Sequence, residues 1–199
     1  MAPRRAQAGE RVDRKRRDLV VVAYETIVRT GLANLRTREV AAAAGITVAT
    51  LHYYFPTKDD LVRAVLEYAI RERIVAALAV EDVPGGLRRI RAMVGALRAR
   101  AAAQPGMFRL LHEMIWLSHD DPALATLLAG WHGEWHEAIR GWLADARDAG
   151  EVRPDLDLAE TATALMYLVF GLVLRPPLPG GVPDDVTAAV ERLLSRQES

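Results

Sequence analysis

Residues 37–55, TREVAAAAGITVATLHYYF, decide how the N-terminal part of this chain folds. Two short helical stretches meet there at a glycine. Helices that cross steeply need a small residue at the contact, which Ala41 supplies, and a residue that tolerates a left-handed turn, which Gly45 supplies. Thr37 is expected to cap the first stretch, ending at Gly45, and Thr47 the second, ending near Phe55. Val40, Ala44, Ile46 and Leu51 are then the inward residues. Val48, Ala49, Thr50, His52 and Tyr53 face outward, with Tyr54 near the end. This is helix-turn-helix spacing, in which the second helix enters the major groove and its first residues reach base edges.

Upstream, a helix over about residues 11–30 puts Leu19, Ala23, Ile27 and Thr30 on one face, and Gly31 stops it. Downstream, Pro56 breaks the chain, and Thr57 with Asp60 resembles a capping box for a long helix over about residues 58–80. Within this frame Thr50 suits a base edge or a thymine methyl, and Val48 and Ala49 allow close apolar approach. His52, Tyr54 and Lys58 suit phosphate oxygens, and Arg38 a phosphate or a guanine. Arg4, Arg5, Arg11, Arg14, Lys15, Arg16 and Arg17 add an attraction that is independent of sequence and weakens with salt.

The run A-x-x-A-G-I-T-x-A-T-L-x-Y-Y-F-x-T-K-D-x-L, beginning at Ala41, carries a resemblance that can be named. Residues from about 14 to 62 resemble the DNA-binding domain of the TetR (tetracycline repressor-like) family of bacterial regulators. The resemblance implies that Arg38, Thr47, Val48, Ala49, Thr50, His52, Tyr53, Tyr54 and Lys58 form the DNA-binding surface. It also implies that the residues beyond about 63 form an effector-binding and dimerisation domain. The chain departs from the family at His52, usually Tyr, at Leu35, usually a small hydroxyl residue, and at Val48, often polar or basic. Val48 implies fewer polar base contacts at the start of the reading helix.

Composition narrows the rest. With 51% hydrophobic and 26% charged residues, the 199-residue chain falls outside the disordered class. The absence of cysteine excludes disulfides, thiolate zinc sites, iron–sulfur clusters and a cysteine nucleophile. The longest apolar run, residues 164–174, is shorter than the roughly 20 residues a membrane helix needs. The N-terminus has no apolar signal core, so a cytoplasmic location and no membrane partner are expected. Zero net charge is a cancellation. Residues 1–60 hold eleven Lys/Arg against seven Asp/Glu, and residues 61–199 hold fifteen against nineteen, so a basic module precedes an acidic one.

Nearly every window has helical periodicity, so the fold expected is all-α with about nine helices: an N-terminal three-helix helix-turn-helix domain and a C-terminal helical bundle. The organisation expected is a flexible basic arm over 1–10, the DNA-binding domain over 11–62, and the effector and dimerisation domain over 63–199. Later helices fall at about 86–103, 105–118, 122–149, 158–174 and 184–195. Helix 105–118 is apolar around most of its circumference, with only Arg109 and Glu113 as a polar stripe. Leu124, Leu128, Trp131, Trp135, Ala138 and Trp142 share a face of the next helix, a pattern more often of core than of pocket. A small-molecule site is expected among Phe108, His112, Trp116, Trp131, Trp135, Tyr167 and Phe170, with Glu113 as the group for a cationic ligand. For self-association the last two helices are the candidates, through Leu165, Val169, Val173, Val186, Val190 and Leu193.

The leading reading is a ligand-responsive transcriptional regulator, a homodimeric repressor released from a palindromic operator by a small-molecule effector. One alternative is a metal-sensing regulator. His132 and His136 are spaced i,i+4 and His112 and His119 i,i+7, so each pair shares a helix face, but 132 and 136 flank the tryptophan stripe instead of lying on it, which favours boundary histidines over metal ligands. An enzyme is the rival class. Of three serines none lies in G-x-S-x-G, no H-E-x-x-H is complete, and no phosphate-cradling glycine loop is present, so no catalytic residue, metal or cofactor is expected.

Overall fold

A computed structural model describes residues 3–74 and 83–174 of the chain. Among the described residues the fold is all-α: α1 (Pro3–Thr30), a 3-10 turn (Leu32–Asn34), α2 (Thr37–Ala43), α3 (Val48–Tyr54), α4 (Lys58–Tyr68), α5 (Leu87–Ala103), α6 (Pro105–Leu117), α7 (Pro122–Asp148) and α8 (Leu158–Leu174). A π-helical segment, Ala69–Ile74, continues α4. The ninth helix expected over 184–195 lies outside the described residues, and with it Val186, Val190 and Leu193. Helix α1 begins at Pro3, so residues 3–10, expected as a flexible arm, are helical.

The N-terminal unit is built on α1. Its Leu19, Ala23 and Ile27 are buried together with Val40 and Ala41 of α2, Leu51 of α3, Phe55, and Leu61 and Val65 of α4. Burying one such large side chain contributes about 1.5–3 kcal/mol, which is how helices of seven residues persist at all. Ala44 and Ile46, expected inside, are half-buried at its edge.

The C-terminal unit packs α5, α6, α7 and α8 around a second part of the same core. On α7 the fully buried ridge is Leu124, Trp131, Trp135, Ile139, Leu143 and Ala146. Ala138 and Trp142 sit half-buried at its margin, the Trp142 ring lying 5.7 Å from the Arg89 guanidinium carbon. On α8, Ala162, Leu165, Met166 and Val169 turn inward. Leu165 and Val169, expected in a dimer contact, are buried within their own chain. Ala164, Tyr167 and Gly171 face outward instead.

Candidate nucleic-acid interface and effector cleft

The turn between α2 and α3 is closed by two backbone bonds. The Ile46 N–H donates to the Ala41 carbonyl at 2.9 Å and the Gly45 N–H to the Ala42 carbonyl at 3.1 Å. This double closure requires a left-handed residue between helix and exit, and Gly45 provides it at φ +64°. Arg36, not Thr37, occupies the N-cap of α2 and makes no side-chain cap, so Thr37 is the first helical residue. Thr47 caps α3 as its sequence position predicts: its hydroxyl oxygen accepts the Thr50 N–H at 3.1 Å, and the two hydroxyls lie 2.9 Å apart.

This cap and turn present one outward face. Thr47, Val48, Ala49, Thr50, His52 and Tyr53 are all exposed, Tyr53 at 74%, while Tyr54 is half-buried with its ring edge-on to Tyr53 at 5.1 Å. His52 has its Nδ1 3.2 Å from the Pro56 carbonyl, which leaves Nε2 for another partner. Arg38 on α2 and Lys58 in the first turn of α4 are exposed on either side of α3. Every residue expected at a DNA surface therefore belongs to one short stretch of helix-turn-helix and its flanks.

At the start of α4 the capping box is complete. The Asp60 N–H donates to Thr57 Oγ1 at 3.1 Å and the Thr57 N–H to Asp60 Oδ2 at 3.0 Å. The Thr57 hydroxyl also donates to Asp60, at 2.7 Å, and together with the backbone bond holds the Asp60 carboxyl below the usual carboxylate value, helped by the charges of Arg63 and Arg16. Arg16 lies 4.8 Å from the Phe55 ring centroid, bringing a basic residue of α1 to the end of α3.

The expected effector set is divided. Trp131 and Trp135 stack at 5.9 Å, and Phe170 meets both edge-on at 5.7 and 5.6 Å. Trp135 is buried, and its indole N–H has no hydrogen-bond partner among the described residues. The other members lie apart from this cluster. Trp116 is 75% exposed at the end of α6 and Tyr167 is 66% exposed on α8. His112 is exposed, Phe108 is buried on the inner side of α6, and the Glu113 carboxylate accepts the Leu32 N–H at 3.2 Å, so it faces the N-terminal unit. The histidines do not converge. His119 Nδ1 lies 3.1 Å from the Ile115 carbonyl, and His136 Nε2 lies 3.1 Å from the Ala159 carbonyl. Among the described residues no three His, Asp or Glu side chains form a group that could hold a metal ion.

Instead a cleft of about 820 Å³ opens between α4 with its π-helical continuation and the α6–α7 corner. Val62, Leu66, Ile70, Leu124, Leu127 and Trp131 make its apolar wall. Five carboxylates, Asp59, Glu67, Asp120, Asp121 and Glu134, line it with two guanidiniums, Arg63 and Arg71. Arg63 reaches across to Asp121 at 3.8 Å. Sequence reading missed all seven, because isolated charges on helices read as solvated faces; the acidic balance beyond residue 60 was the only available hint.

Residues 19–65 match the bacterial regulatory proteins of the tetR family, and residues 85–190 match the tetracyclin repressor-like C-terminal domain. The HTH-type transcriptional regulator UidR of Escherichia coli (strain K12) is 22% identical over 151 residues, 76% of each chain. A putative transcriptional regulator from Saccharomonospora viridis, solved in complex with choline, is 22% identical with a TM-score of 0.73, covering 91% of this chain and 93% of that one. A TetR transcriptional regulator from Chloroflexus aurantiacus J-10-FL is 25% identical with a TM-score of 0.68, covering 83% and 85%. With both the reading unit and the C-terminal unit matched, the chain belongs to the tetR family of bacterial regulatory proteins.

Proposed function

We propose that the chain is a repressor that reads its operator through the outward face of α3 and leaves it when a small molecule occupies the C-terminal unit. The observation that carries this reading is the exposed Thr47–Tyr53 face, held by the Thr47 cap and the Gly45 turn. Thr50 meets base edges, Val48 and Ala49 approach apolar groups, and Arg38, His52, Tyr53, Tyr54 and Lys58 hold the backbone. Two copies related by a two-fold axis would read successive major grooves about 34–36 Å apart, hence a palindromic site in cytoplasmic DNA. The last two helices supply the dimer contact, with the outward Ala164, Tyr167 and Gly171 of α8 available to a partner.

The effector occupies the cleft between α4 and the α6–α7 corner. Its excess of carboxylates and its Trp131 wall favour a ligand with positive charge and some apolar surface. The choline bound by the Saccharomonospora viridis protein of similar fold supports that class. An effector that binds the DNA-free conformer better must, reciprocally, bind less well when DNA is present. Fluorescence anisotropy on duplexes from upstream of the gene tests the reading. Sequence-preferring, salt-sensitive binding is expected, and no preference for any genomic fragment would overturn it. Thermal shift with choline and longer-chain quaternary amines, against neutral isosteres, tests the ligand class.

A further inference from the structure

Helix α1 stops at Thr30, yet the bond that would have carried it further is replaced. In a continuing helix the Leu32 N–H would donate to the Val28 carbonyl. Here the Val28 carbonyl accepts from Arg109 Nη2 at 2.9 Å, and the Leu32 N–H donates to Glu113 Oε2 at 3.2 Å. Both partners come from α6, four residues apart and so on one face. A guanidinium meets a carbonyl at the negative end of α1, and a carboxylate meets a freed amide, so each group has the sign its site favours.

Gly106, one turn earlier on that face, makes the approach possible. A Cβ there would collide with the Val28 carbonyl oxygen and with Val28 Cγ1. Around the rest of α6, Met107, Leu110, Leu111 and Met114 are buried in the core. Its far end, at Leu117, and the Asp120–Asp121 turn beyond it line the cleft. Helix α6 therefore joins the cleft directly to the end of α1, where the chain enters α2.

We infer that Arg109 and Glu113 are positioning residues for DNA reading: they splice α6 onto the end of α1 and hold the reading unit in its DNA-competent orientation without touching DNA. This rests on the regulator reading above. The splice is a second connection between the units, separate from α4, and a ligand that displaces the α6–α7 corner loads it directly.

The test uses the full chain and duplexes selected by the wild-type protein from a random-sequence pool. Glu113→Ala is expected to weaken specific binding about tenfold, the scale of a coupling residue away from the ligand, with nonspecific affinity and salt slope unchanged. Glu113→Gln, which keeps an acceptor for the Leu32 N–H, is expected to stay within about twofold of wild type. Amide hydrogen exchange gives a readout that does not involve DNA: Leu32 is protected in wild type and in Glu113→Gln and exchanges faster in Glu113→Ala. Unchanged Leu32 exchange in Glu113→Ala, or specific affinity equal to wild type in that variant, would overturn the inference. If Glu113→Ala does not fold, Leu32 protection in wild type and its loss in Arg109→Leu/Glu113→Leu decide the matter. Failure of the wild-type chain to enrich any sequence would instead overturn the regulator reading, and Leu32 exchange would still test the splice.

Discussion

Between Thr37 and Asp60 each change of chain direction has a hydrogen-bonded device only a few residues away: the double closure at Gly45, the Thr47 hydroxyl on Thr50, and the reciprocal Thr57–Asp60 box. Along α5 to α8 such devices recur, Asp121 capping α7 and Gly150 closing its end, but the helices are longer and also meet through side chains across large sequence separations, such as Trp131 and Trp135 with Phe170. The contrast matches the two tasks. A surface that must fit the spacing of base edges profits from local bonds that fix one geometry. A unit that must answer a ligand profits from packing that has more than one arrangement of similar energy.

The strongest way to break this comparison is to delete packing in the reading unit, where little core stands behind the short helices. Leu51 is buried on α3, and Leu51→Ala is expected to destabilise by roughly 2–5 kcal/mol and to abolish specific DNA binding. Trp116→Ala removes a larger side chain but one that is 75% exposed, and a stability change within about 0.5 kcal/mol with DNA binding intact is expected. Urea unfolding and anisotropy on the same preparations check both. Similar losses in the two variants would mean that Trp116 has a structural partner and that the division drawn here is misplaced.

The same contrast explains what could be read from sequence. Gly45, Thr47 and the Thr57–Asp60 pair act over three to five residues, so their types and spacing are enough to predict the turn, the cap and the box. Thr37 misled because Arg36 took the N-cap position, a shift of one residue that periodicity does not resolve. In the C-terminal unit helix positions were legible from Pro105, Pro122 and the glycines, but the facing of each side chain was not. Trp116 and Tyr167 looked like pocket walls and stand in solvent; Glu113 looked like a ligand group and meets the Leu32 amide 81 positions away in sequence. Leu165 and Val169 looked like dimer residues because α8 is apolar nearly all round, and only the packed bundle shows which side is spent inside.

Smaller substitutions sharpen the reading unit's half of the contrast. Thr50→Val keeps shape and methyl group but removes the hydroxyl, and about 1–3 kcal/mol of discrimination between operator and a single-base variant is expected to disappear at one position. Thr47→Ala leaves the Thr50 N–H without its acceptor and is expected to lower stability by about 1 kcal/mol, measurable by thermal unfolding. Lys58→Ala is expected to weaken all sequences alike and to reduce the salt slope of log K by about 1. A change of specificity in Lys58→Ala would move that residue from the backbone to a base.

The finest test compares two carboxylates whose pKa values lie below their ordinary ones for different reasons. Asp60 is lowered first by the Thr57 hydroxyl and then by its backbone N–H, whereas Glu137 on α7 is lowered chiefly by Arg140, whose guanidinium lies 2.7 Å away on the next helical turn. For both, the folded value is below the unfolded one, so the folded state binds fewer protons. The stabilisation is complete above the ordinary value, 3.8 for Asp60 and 4.5 for Glu137, and is lost as pH falls through the lowered value. Asp60→Asn should therefore lower Tm at neutral pH, and the gap from wild type should close below pH 3.8. Glu137→Gln should show the same sign with a smaller gap, because an exposed pair within one helix is screened by solvent and salt while a capping box satisfies amides that have no other partner. Adding salt should shrink the Glu137 gap and leave the Asp60 gap nearly unchanged, since the first is a pairing of charges and the second a pair of hydrogen bonds.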